Sequence, residues 1–136
     1  MKHFIIVILL VVMYSGAKAS PFYDLVKTIT ADIANHNVYE SATIGFAAVE
    51  STQHMRLNQL LMIANDEQLM VLTNHNNAVV RLYALRAIVS RKLPITEELR
   101  NKFYRDNTLV STLQGCIANN LTVGLLSKTI LKEKSL

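Results

Sequence analysis

The sequence predicts an all-α fold. Two long segments carry apolar residues at helical spacing, and residues that favour helix caps precede several such segments. No segment shows sustained period-two alternation, the usual mark of a half-buried strand.

The chain has 136 residues, enough for one domain and hardly for two. Its first 19 residues read as a cleaved signal peptide. Met1-Lys2-His3 is a short positive start, and Phe4 to Tyr14 is an unbroken apolar run. As a helix that run spans about 16 Å, too short for a hydrocarbon core of about 30 Å. Ala17-Lys18-Ala19 then offers small residues at the two positions a signal peptidase inspects. The expected product is an exported, periplasmic or secreted domain over 20–136, with no membrane attachment after cleavage. A membrane tether that retains residues 4–14 is the competing expectation.

Each element is read in turn. Ser20-Pro21 starts a helix, because Ser caps and Pro fits the first turn. Phe22, Leu25, Val26, Ile29 and Ile33 continue it as one stripe until Asn35-His36-Asn37 breaks it. Val38 to Val49 has no clean period. Ser51 is a cap for a helix lined by Leu57, Leu60, Leu61 and Ala64, and a short helix follows from about Glu67. After the Asn74–Asn77 turn comes the clearest helix, Ala78 to about Lys92, with Val80, Ala84, Ala87 and Ile88 on one face. Arg91 and Lys92 suit the negative end of its dipole. Leu93-Pro94 stops it. Thr96 caps Glu97 to Arg105, with two acids in the favourable first turn. Leu109-Val110-Ser111-Thr112-Leu113 is compatible with a strand. Val123, Leu126 and Ile130 return to helical spacing.

Leu72-x-x-His75-x-Asn77-x-x-Val80-Arg81-x-x-Ala84-x-x-Ala87-Ile88 resembles a HEAT repeat of the short, phycobilin-lyase type. A shift of 30 residues places Glu67 on Glu97, Leu69 on Leu99, Asn77 on Asn107 and Val80 on Val110. The resemblance implies helix pairs at about 66–93 and 96–121, stacked as a small solenoid, with Arg81 bracing the next unit. The second copy departs from the pattern, with Ser111 in place of Arg81 and Lys102 in place of Leu72. The sequence is also similar to small exported bacterial proteins, a likeness that carries no assigned chemistry.

Chemistry is sparse. The formal charge of +4 falls to +2 without Lys2 and Lys18, which argues against a nucleic-acid binder. Glycines at 16, 45, 115 and 124 are too scattered for a phosphate loop, and no cofactor is expected. His36, His54 and His75 lack metal-ligand spacing, so no metal site is expected either. Asp66-Glu67 and Glu97-Glu98 open helices, where capping and the dipole account for them. Cys116 has no partner for an internal disulfide, and its neighbourhood from Leu113 to Ala118 reads as buried. Asn120-Leu121-Thr122 fits a glycosylation sequon, relevant only in a eukaryotic secretory pathway.

Two functional expectations follow. The first is non-catalytic protein binding or scaffolding by stacked helices, with Arg86, Arg100 and Arg105 as a partner surface. The second is a small thiol-dependent enzyme with Cys116 as nucleophile and His75 as base.

Overall fold

The computed structural model describes residues 21–133. The predicted signal peptide at 1–19 lies outside them. The all-α expectation is overturned: a four-stranded mixed sheet runs through the molecule beside six helices.

The first helix, α1 (Pro21–His36), buries Val26, Ile29, Thr30 and Ile33. Phe22 and Leu25, assigned to the same stripe from sequence, face solvent. Asn37 ends the helix at φ +54, and its N–H returns to the Ile33 carbonyl at 3.0 Å. Asn is among the few side chains that adopt this left-handed geometry readily. The chain then enters β1 (Val38–Ile44), turns at Gly45, and returns as the two-residue β2 (Val49–Glu50).

Four helices follow: α2 (Thr52–Ile63), α3 (Asp66–Leu72), α4 (Ala78–Ser90) and α5 (Glu97–Tyr104). Each begins on a side-chain cap. Ser51 and Thr96 do so as their sequence positions suggest. Asn65 forms a reciprocal capping box with Gln68. Asn77 caps α4 through two backbone N–H groups and also donates to Asn37 Oδ1 at 2.8 Å, tying α4 to the end of α1.

The hairpin β3 (Leu109–Gly115) and β4 (Ile117–Thr122) comes next, and α6 (Val123–Lys132) closes the described chain. Strand order is β2-β1-β3-β4, with β1 parallel to β3 and the outer pairs antiparallel. The parallel pair requires a long crossover, which α2 to α5 provide.

This arrangement corrects the HEAT-like reading. The proposed second helix pair at 96–121 is instead α5 followed by a β-hairpin. Within β3, Val110 and Thr112 are buried while Leu109 and Ser111 are exposed, a strand's alternation. Gly115-Cys116 forms the two-residue turn, with Gly115 at φ +58, where glycine is suited to the first position of a hairpin turn. Solenoid stacking is replaced by a sheet in which β1 is buried at Tyr39 and Glu40 and exposed at Ala42 and Thr43.

At the centre lies α4. Val79, Leu82, Tyr83 and Leu85 are buried together with Val80, Ala84, Ala87 and Ile88, so it has no single apolar face. A helix apolar nearly all round belongs inside a core. Arg91 does not serve its own helix dipole. Its guanidinium donates to the Leu61 and Ala64 carbonyls at 2.7 and 2.6 Å and pairs with Asp66 at 2.8 Å, closing the end of α2. Arg81 spans the His75 and Asn76 carbonyls and the Asp106 carboxylate.

Candidate functional site

Two turns that are distant in sequence meet at one end of the sheet. The Gly45 N–H donates to the Gly115 carbonyl at 3.0 Å, and the Gly115 N–H donates to Ser41 Oγ at 3.0 Å. Both glycines have positive φ, +74 and +58, a conformation that carries little cost without a Cβ. The turns are therefore fixed side by side through backbone groups.

Apolar side chains project from this end. Phe46 is 102% exposed, Val49 61% and Ile117 64%, and Cys116 is also exposed. No charged residue occurs at 41–49 or at 107–127. The strand β4 carries no helix over its outer residues, and Ile117 to Asn120 are exposed on both faces. A clustered, uncharged apolar surface on a rigid scaffold is characteristic of a contact site, whereas singly scattered apolar residues need no explanation.

Beneath the turns, a buried polar cluster holds β1 in place. Ser51 Oγ donates to Glu40 Oε2 at 2.5 Å, and His36 Nε2 lies 2.7 Å from Glu40 Oε1. The Glu40 N–H donates to the Tyr83 hydroxyl at 3.0 Å, and that hydroxyl donates to the Glu40 carbonyl at 3.3 Å. Burial pushes the Tyr83 phenol well above its ordinary range, and burial likewise raises Tyr39. Although Ser, Glu and His are joined here, the carboxylate sits between the other two. His36 does not reach Ser51 Oγ, whose proton goes to Glu40 and whose oxygen also caps α2. The cluster fastens β1 to α1, α2 and α4.

A cavity of about 220 Å³ opens beside Gln114, one residue before the β3–β4 turn. Tyr39, Arg86, Leu126, Ile130 and Glu133 help to line it. Arg86 donates to the Tyr39 hydroxyl at 3.1 Å and lies 3.4 Å from Glu133. Burial disfavours the Arg86 cation, but Tyr39 and Glu133 outweigh that effect and keep it charged.

The structure separates the residues singled out from sequence. Cys116 is at the exposed hairpin turn, not buried as its neighbours suggest. His75 lies in the turn before α4, where its Nδ1 accepts the Asn77 N–H at 3.0 Å, close to the Asn37 end of β1. Cys116 lies beyond the other end, next to the residue paired with Ile44. Seven strand residues at about 3.3 Å each keep thiol and imidazole far outside hydrogen-bond reach. Arg86 is half-buried and lines the cavity, while Arg100 and Arg105 are exposed on and just after α5. Among the described residues, no three His, Cys, Asp or Glu side chains gather where a metal ion could sit. Likewise, no helix among them is long and apolar enough to cross a membrane.

Phe46, Tyr39 and Glu40 were not assigned a role from sequence. Gly45, in a segment without helical period, signals a turn, but nothing local marks Phe46 as exposed. Nothing local marks Tyr39 or Glu40, whose partners lie on other elements. No protein-family model matches the chain, and no curated protein is significantly similar to it.

Proposed function

We propose that the protein is an exported, non-catalytic interaction domain that docks a protein partner on the paired hairpin turns. The carrying observation is the exposed apolar residues Phe46, Val49 and Ile117, with Cys116, at the end of the sheet. An aromatic anchor at the tip of a braced turn loses little conformational entropy on binding, a feature of interface hot spots. The absence of basic residues around these turns disfavours nucleic acid, which is bound through its phosphates. Export rests on the leader-like residues 1–19.

Affinity capture from the protein's own exported fraction tests this reading. Wild type is compared with a Phe46→Ser/Ile117→Ser variant and with Cys116→Ser. A protein enriched by wild type and by Cys116→Ser, and lost with the double variant, is the expected result. Equal enrichment by the double variant overturns the surface assignment. Enrichment that depends on the thiol favours chemistry at Cys116 instead.

A further inference from the structure

We infer that the Arg86 cavity is a binding site for a short aliphatic carboxylate, and that Glu133 occupies its mouth as an internal stand-in for that ligand. The inference does not require a protein partner on the hairpin turns, so either reading can fail alone.

Three observations carry it. First, Arg86 and Tyr39 bring hydrogen-bond donors to the cavity, while the carboxylate of Glu40, which also lines it, is held by Ser51 and His36. Arg86 spends one nitrogen on the Tyr39 hydroxyl and has only a long, 3.4 Å contact with Glu133, leaving guanidinium hydrogens for a second acceptor. The Tyr39 hydroxyl accepts from Arg86, and its own proton makes no hydrogen bond among the described residues. Tyr39 is itself only 5% exposed and lines the cavity.

Second, one part of the wall is aliphatic. Leu126 and Ile130 are 3% and 2% exposed and line the same cavity. A carboxylate with a short hydrocarbon tail satisfies both sides, since the head meets Arg86 and Tyr39 while the tail lies on the two aliphatic side chains. Phosphate would leave that wall unused. The volume of about 220 Å³ is below that of ordinary drug-sized pockets, which restricts the ligand to a few heavy atoms.

Third, the chain already places a carboxylate there. Glu133 follows the last turn of α6, its side chain is 52% exposed, and its contact is longer than a well-formed charged hydrogen bond. Such an exposed pair contributes little and is easily exchanged for a better-placed acceptor.

The test uses the purified full-length protein and isothermal titration at constant ionic strength, with sodium chloride as the reference. The probes are propionate, for a free acid, and acetyl-Ala-Glu-Ala-amide, for a carboxylate borne on a chain. Saturable binding of either supports the site, and the tighter probe identifies the source. Glu133→Gln is expected to tighten binding about twofold to fivefold by removing the competitor. Arg86→Gln is expected to weaken it about tenfold or more. Tyr39→Phe, which keeps the ring contact with Tyr83, is expected to weaken it as well and serves if Arg86→Gln does not fold. No saturable binding of either probe to wild type and Glu133→Gln overturns the inference. So does binding that both Arg86→Gln and Tyr39→Phe leave unchanged.

Discussion

The backbone hydrogen bond from Gly45 to Gly115, 3.0 Å long, joins the turn of one hairpin to the turn of another. It holds the end of a parallel strand pair together where the β1–β3 register becomes irregular. Through it, Phe46 and Ile117 belong to one surface despite their distance in sequence.

Substituting glycines therefore has two distinct consequences. A Cβ at Gly45 or Gly115 meets nothing within 4 Å, so Gly45→Ala and Gly115→Ala carry only the strain of positive φ, about 1–2 kcal/mol each. At Gly124 a Cβ would lie 2.7 Å from the Tyr104 carbonyl oxygen, and backbone cannot step aside. Gly124→Ala is expected to cost about 3 kcal/mol or more. Urea unfolding of the three variants should place Gly124→Ala clearly lowest.

Asp106 provides acid-sensitive stability. Burial opposes its charge, but hydrogen bonds from Thr108 and Arg81 prevail and hold its carboxyl below the usual range. A depressed folded pKa contributes stability above the unfolded value of about 3.9, and that contribution is lost as pH falls through the folded value. Asp106→Asn is expected to cost about 2 kcal/mol at neutral pH. The gap from wild type should shrink as acid unfolding is followed below about pH 4.

The tyrosines set the alkaline limit. Burial raises both Tyr83 and Tyr39, so their neutral forms stabilise the fold fully below the unfolded value of about 10. This contribution is lost as pH rises through the folded values. Tyrosinate absorbance should show Tyr39 and Tyr83 ionising only as the protein unfolds. Tyr83→Phe leaves the buried Glu40 N–H without its partner, at a cost of about 1–3 kcal/mol.

Cys116 is expected to react with a thiol reagent in the native state at close to one equivalent, without denaturant. Cys116→Ser should leave stability within about 0.5 kcal/mol of wild type, as for most exposed positions. Labelling that requires denaturant would contradict the exposed turn.

Much of the helical structure was legible because caps and breaks are local. Ser51, Thr96, Leu93-Pro94 and the Asn-rich turns each act on the next few residues, and they fall where helices begin or end. The sheet was hidden for a physical reason. In β1, adjacent Tyr39 and Glu40 are both buried, which erases alternation. In β4, Ile117 to Asn120 are all exposed, which erases it in the opposite way. The same limit applies to function. Arg86 stood out as a surface cation, but its cavity depends on Tyr39 and Glu133, which only tertiary structure brings near. Cys116 drew attention for its chemistry, while its position beside Phe46 depends on a bond between distant glycines.

The interaction surface is tested most directly by photo-crosslinking from Phe46. A photoreactive benzoylphenylalanine is placed at position 46 and, as control, at Met62, which is 84% exposed on α2 away from the turns. Irradiation in intact cells of the source organism is predicted to give a discrete adduct from position 46 and none from position 62. Adducts that are equal from both positions, or that arise only from position 62, would contradict the assignment of the hairpin turns as the docking surface.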